Sequence, residues 1–191
     1  MATKQPIRDL KDIQRMKDYL IYDSAKNPVL RLRNYTLFVT GINSGLRMGD
    51  IRDLKVKDVT GWRIKHFDEK TGKFTDRKMN SSLKKAIRNY LGITKLKNED
   101  YLFPGSFKQN RKMSESQAWR IVTSAANFLG IPEIGTHSMR KTFGFQIFTT
   151  QGNKTVGDIM KLLNHQKEST TLAYIGVTRD SEDKTVDKLN L

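Results

Sequence analysis

Thr136-His137-Ser138-Met139-Arg140-Lys141, followed by Leu163-Asn164-His165 and then Tyr174, is the stretch on which the reading of this chain turns. His137 and Arg140 stand three apart, so a helix puts an imidazole and a guanidinium on neighbouring positions of one face. His165 precedes Tyr174 by nine positions. Upstream, Ser44-Gly45-Leu46-Arg47-Met48-Gly49-Asp50 supplies a second arginine, with an acid one turn on. Arginines, histidines, a lysine and a tyrosine form a set able to break and remake a phosphodiester without a metal.

The charge agrees with such a substrate. Among 191 residues, 35 Lys and Arg face 20 Asp and Glu, a net charge of +15. That excess implies a polyanionic partner, most simply nucleic acid. A basic but unspecific surface, as on a ribosome-associated RNA-binding domain, accounts for the charge but not for the motif order. The chain has no Cys, which excludes a disulfide framework, a thiol nucleophile and a thiolate zinc site. His66, His137 and His165 lack ligand-like spacing, so neither metal nor cofactor is expected. Met1 to Pro6 is polar, without an apolar signal core. No run approaches the ~20 apolar residues that cross a bilayer. A cytoplasmic protein with no membrane contact is expected.

Apolar spacing predicts a helix over 9–21, with Leu10, Ile13, Met16, Lys17 and Leu20 at helical intervals. A second helix is predicted from Pro28 to Gly41, with Gly41 and Gly45 bracketing a tight connection, and a third from Arg47 to about Leu54. Val59, Trp62, Ile64 and Phe67 suit a strand, Lys70-Thr71-Gly72-Lys73 a turn, and Phe74 to Met79 a returning strand. Ser82 is expected to cap a helix to Leu91, and Phe103-Pro104-Gly105 to form a loop. Further helices are predicted from Ser114 or Ser116 to Leu129, over 137–150, from Val156 to Leu163, and from Ser169 to Tyr174. Trp62, Trp119, Phe103 and the Phe143–Phe148 group are assigned to the core. The expected fold is mainly α with a small antiparallel β-sheet (α+β), in one domain over 1–191 with a tail at about 178–191.

Each candidate side chain has a chemical role open to it. Arg47 can clamp a phosphate through paired N–H bonds, and Asp50 can orient it. Lys70, at the hairpin tip, can protonate a departing alkoxide, and Lys73 lies close enough to share the task. Thr71-Gly72-Lys73 is not a phosphate-binding P-loop, because the leading Gly is absent and Phe74 stands where Ser or Thr is needed. Tyr174, a phenol of pKa ~10, needs nearby cations and a base to act as a nucleophile. Lys73 and Lys141 are candidates for contacts to DNA. No recognition helix stands out.

Taken in order, Arg47, Lys70, His137-x-x-Arg140, His165 and Tyr174 resemble the catalytic set of the tyrosine recombinase (phage integrase) family. The flanking residues agree: Thr40 to Arg47, Glu69 to Lys73, and Leu162-Leu163-Asn164-His165 leading to Thr170-Thr171-Leu172-Ala173-Tyr174. The resemblance spans about residues 6–180 and implies the family's helical catalytic domain with its small sheet. It implies attack by Tyr174 on double-stranded DNA, a 3′-phosphotyrosyl bond and a freed 5′-hydroxyl. Arg47 and Arg140 then hold the non-bridging oxygens, Lys70 protonates the leaving oxygen, His137 handles the tyrosine proton, and His165 hydrogen-bonds the phosphate. Asp50 supports the arginines, although Gly49-Asp50 stands where many members have Ser-Glu. The covalent bond conserves energy, so no ATP is implied, and because arginines supply the positive charge, no metal is implied either. Most members also carry an N-terminal helical domain that completes the DNA clamp, and here Arg47 comes too early for one. The implied assembly on DNA is a dimer or tetramer, with the segment from Val177 to Leu191 either passed to a neighbour or folded back. A derived regulator that binds DNA without cutting is the alternative.

Overall fold

In a computed structural model, residues 4–67, 72–150, 155–176 and 186–187 are described. Lys70, Thr71 and the tail from Val177, apart from Val186 and Asp187, lie outside them. Among the described residues, eight α-helices and four short strands follow in the order α1 (Leu10–Tyr22), α2 (Pro28–Ser44), α3 (Met48–Asp53), β1 (Arg63–Phe67), β2 (Phe74–Lys78), α4 (Ser81–Ile93), β3 (Pro104–Ser106), β4 (Arg111–Lys112), α5 (Glu115–Phe128), α6 (Thr136–Thr150), α7 (Val156–Leu162) and α8 (Glu168–Ile175). A mainly helical fold with a small antiparallel sheet is therefore present. Among the described residues no helix is long and apolar enough to cross a membrane.

Caps explain most boundaries. Asp9 accepts from the Lys11 N–H at the start of α1, and Ser114 from Gln117 at the start of α5. Asn80, not Ser82, caps α4 by accepting from Leu83. Helix α2 runs through Gly41 and stops at Ser44, with Gly45 left-handed at φ 64°. Gly45 is thus the true stop signal, since a residue without Cβ takes that conformation freely. Gly41 serves contact instead. A Cβ there would stand 2.7 Å from Met139 Sδ and 2.9 Å from its Cβ. The bare backbone lets α6 lie close on α2.

The strand expected from Val59 begins only at Arg63, because Val56–Trp62 forms a 3-10 segment kinked at Thr60 and Gly61. Strands β1 and β2 pair antiparallel, with Ile64 opposite Arg77 and His66 opposite Thr75. Strand alternation puts these four on one face, and all are at least partly buried, while Phe67 and Phe74 pair on the exposed side. Phe103-Pro104-Gly105, expected as a loop, enters β3, which pairs with β4.

Two apolar clusters hold the helices. The larger includes Met16, Leu20, Leu37, Phe38, Ile51, Leu83, Tyr90, Phe103 and Val122. The smaller joins Phe143, Phe145, Ile159 and Leu163, and Tyr174 packs on it. Trp62 and Trp119 are not core residues. They are 38% and 48% exposed, and Trp62 lies under the Arg88 guanidinium at 5.0 Å. Large amphipathic rings gain from covering apolar surface without full burial. Leu10 is likewise exposed at the first turn of α1.

Gly41→Ala sets two effects against each other. The helix gains up to about 1 kcal/mol from Ala, but overpacking costs about 1–3 kcal/mol. Overpacking wins, because the Met139 Cβ cannot retreat unless α6 moves. A net loss of about 1 kcal/mol lowers Tm by about 2–4 °C in thermal unfolding; an unchanged or higher Tm refutes the close-contact account.

Candidate active site

Four separate segments deliver the site. Arg47 stands at the N-cap of α3, where the left-handed Gly45 has just turned the chain. Its backbone N–H donates to Asp50 Oδ2 at 3.2 Å. Asp50 is 2% exposed, and His66 reaches its other oxygen from β1, Nε2 to Oδ1 at 3.8 Å. The buried carboxylate beside it raises the His66 pKa above the ordinary value, against the opposing effect of burial.

Arg140 rises from the second turn of α6 and is buried. It donates through Nη1 to the Gly45 carbonyl at 2.7 Å and through Nη2 to the Leu163 carbonyl. Charge-assisted bonds of this kind are what make a buried guanidinium tolerable. His137, one turn earlier, stays exposed at the mouth. It lines a cleft of about 330 Å³ with Arg47, Asp50, Glu115 and Thr136. The two residues share a helix face, yet one forms the floor and the other the rim.

His165 follows the end of α7. Its Nδ1 shares a hydrogen bond with Thr171 Oγ1 at 3.0 Å, which leaves Nε2 for other contacts. Burial, with Arg140 and Arg47 close by, lowers its pKa to about 4. The imidazole is therefore neutral at pH 7. Tyr174 sits on α8, its ring edge-on to His165 at 5.0 Å between centroids. Arg140 and Arg47 lie close enough to the phenol to favour its ionised form. Burial raises the phenol pKa, while Arg140 and Arg47 pull the other way. Lys141 is buried, not on the open surface, and its ammonium lies 5.3 Å from the Tyr174 ring centre. Burial lowers the Lys141 pKa.

Arg47, Arg140, His165 and Tyr174 thus share one electrostatic environment, with Lys141 against the nucleophile candidate. His137 and Asp50 border the same site through the cleft with Arg47. Lys73 is exposed just before β2. Lys70 lies outside the described residues. Sequence reasoning passed over His66 and Arg77. Their signal was parity: with Ile64 buried, alternation along β1 and β2 turns His66, Thr75 and Arg77 to the same side.

The model of the phage integrase family matches residues 11–180. The chain belongs to this family. A probable integrase/recombinase, YoeC of Bacillus subtilis (strain 168), is 41% identical over 185 residues, covering 95% of this chain and 94% of that one. The tyrosine recombinase XerA of Pyrococcus furiosus is 26% identical across 86% of this chain, which spans 57% of that relative. In structure, XerA superposes with a TM-score of 0.72 at 20% identity, covering all of this chain and 68% of that one. The XerH site-specific recombinase gives 0.75 at 15% identity, covering 98% of this chain and 54% of that one. The chain is a site-specific recombinase of the tyrosine type.

The Asp50–His66 contact has a pH signature. Because the folded-state pKa of His66 lies above its unfolded value, its contribution is fully present below about pH 6.5. It is lost as pH rises through the elevated folded value. His66→Gln therefore destabilises most at pH 5.5 and least at pH 8.5, as read from urea unfolding midpoints. An equal loss at both pH values refutes a charged His66.

Proposed function

We propose that Tyr174 is the nucleophile with which this recombinase cuts and rejoins double-stranded DNA. One observation carries the reading: a phenol, two guanidinium groups and a neutral imidazole converge although they come from well-separated parts of the chain. The phenol oxygen attacks a backbone phosphorus and displaces the 5′-oxygen, leaving a 3′-phosphotyrosyl bond. The freed hydroxyl of a partner strand later reverses the step, so the ester energy is kept.

Arg47 and Arg140 face the charge that grows on the non-bridging oxygens, and preorganised cations stabilise it without reorganising. His165 presents Nε2 to a phosphate oxygen while Thr171 holds Nδ1. His137, at the rim beside Arg47, exchanges the tyrosine proton with solvent. Lys70 is assigned to the leaving oxygen. Asp50 holds the backbone of Arg47, which suits its buried place. Lys73 contacts the DNA backbone from the hairpin, and Lys141 acts on Tyr174. In support, XerH, which shares the fold, was solved with its difH substrate after cleavage. We further propose that the protein works in the cytoplasm, as a dimer or tetramer on DNA, its tail packed on its own domain or a neighbour's.

The test uses a nicked suicide duplex carrying the site selected from a random-sequence pool. A covalent protein–DNA adduct forms with the wild type and vanishes in Tyr174→Phe. An adduct that survives this change removes Tyr174 from its role. Arg140→Ala lowers the cleavage rate about 10²–10³-fold in protein shown to remain folded.

DNA affinity is also steep in salt. For a grip on ~6–10 phosphates, binding falls ~10³–10⁵-fold between 50 and 200 mM. A flat titration over that range contradicts a grip on the DNA backbone.

A further inference from the structure

The turn that presents His165 is closed by two arginines, and only one of them belongs to the set described so far. The last carbonyls of α7 can be followed one by one. Ile159 O accepts from the Leu163 N–H at 2.8 Å, Met160 O from His165 at 2.9 Å, and Lys161 O from Asn164 at 3.2 Å. With Asn164 left-handed at φ 51°, this is a Schellman closure. It leaves Leu162 O and Leu163 O. Arg140 takes Leu163 O, and Arg77, reaching over from β2, takes Leu162 O at 2.6 Å.

Arg77 is held there against resistance. Burial and the neighbouring Arg140 lower its pKa to about 10. Its Nη1 is buried with no hydrogen-bond partner among the described residues. Its guanidinium lies over the Phe143 ring at 5.4 Å, on the cluster that also carries Tyr174. A like-charged pair in a half-dry site is expensive. What offsets that cost is the helix end that neither Arg140 nor the Schellman bonds can close.

We infer that Arg77 is a positioning residue for strand cleavage, fixing where His165 stands by closing the last turn of α7. This rests on the reading of Tyr174 and His165 given above. Loss of the Leu162 bond leaves a carbonyl unpaired and frees the Leu163-Asn164-His165 turn from β2. His165 then drifts from Arg140 toward water, and its imidazole becomes easier to protonate. A misplacement of about 1 Å at a reacting centre can cost about 10²-fold in rate.

The experiment compares the full chain with Arg77→Met and Arg77→Lys. Met keeps most of the side-chain length without charge or donor, and Lys keeps the charge and one donor able to reach Leu162. NMR titration of the three imidazoles, assigned with His165→Asn, reads the His165 midpoint. Cleavage rate and DNA affinity are measured separately on the suicide duplex. In Arg77→Met the midpoint rises from about 4 toward the ordinary value, and the cleavage rate falls about tenfold or more. DNA affinity changes less than threefold, and Arg77→Lys recovers most of both losses. A folded Arg77→Met with an unmoved midpoint and a wild-type rate overturns the inference. So does an Arg77→Lys that folds but is no better than Arg77→Met. If Arg77→Met fails to fold, Arg77→Lys decides: a near-wild-type midpoint and rate support the inference, and a folded but impaired protein overturns it. Failure of the wild type to form an adduct sinks the nucleophile reading instead and leaves the His165 midpoint as a separate result.

Discussion

The guanidinium of Arg140 is the joint on which the site depends. From α6 it donates to the carbonyl of Gly45 at the end of α2 and to the carbonyl of Leu163 at the end of α7, and its charge favours the ionised form of the Tyr174 phenol. Two helix ends are thereby indexed to one rigid planar group. A buried carbonyl left without a donor costs about 1–3 kcal/mol, so these contacts are hard to surrender separately. The residue best placed to stabilise a transition state is therefore also one that builds the pocket. Losses at Arg140 always mix folding with chemistry, which is why the more peripheral Arg77 separates the two better.

Around that joint the charges are unbalanced. Arg47, Arg140 and Lys141 gather near one phenol, Arg77 stands beside Arg140, and the carboxylate behind them, Asp50, is engaged by the Arg47 backbone and approached by His66. Burial and these charges act in the same direction: burial, then Arg140 and Arg47, lower His165 to about 4, and burial, then Arg140, lower Arg77. Such a pocket is prepared for an anion. Field lines from cations inside low-dielectric walls are focused, and a phosphodiester is the ligand that relieves them.

Much of this was legible in the residues. Helical spacing located α1, α2, α5 and α6 to within a few positions, and a capping side chain marks the start of α1, α2 and α5. The order of Arg47, His137, Arg140, His165 and Tyr174 pointed to the chemistry. Tertiary contacts were what escaped. Nothing local says that Gly41 is mid-helix and Gly45 terminal; the difference lies in Met139 pressing on one and a left-handed turn at the other. Trp62 and Trp119 looked like core by size alone, yet both lie at the surface, more than a third exposed. His137 and Arg140 looked equivalent on one helix face, but burial splits them into rim and floor. His66 and Arg77 were hidden because strand parity has no meaning until one buried position, Ile64, is known.

Phosphate arrival changes these settings in a way that couples binding to chemistry on the proposed reaction. Its negative charge offsets Arg47 and Arg140, so His165 no longer faces an uncompensated field. The proton affinity of the imidazole climbs from about 4 toward the ordinary range. The phenol responds less helpfully. Burial already raises its pKa, and the arginines that opposed that rise are now partly neutralised. At pH 7 a phenol of pKa 10 or above is ionised in fewer than about one molecule in a thousand. Tyr174 must therefore lose its proton during attack and not before it. His137, assigned above to pass that proton to solvent, then receives it from the phenol directly or through His165, which stands edge-on to the ring and whose basicity the substrate has just increased. The same excess of positive charge that lowers the basicity of His165 draws the phosphate in.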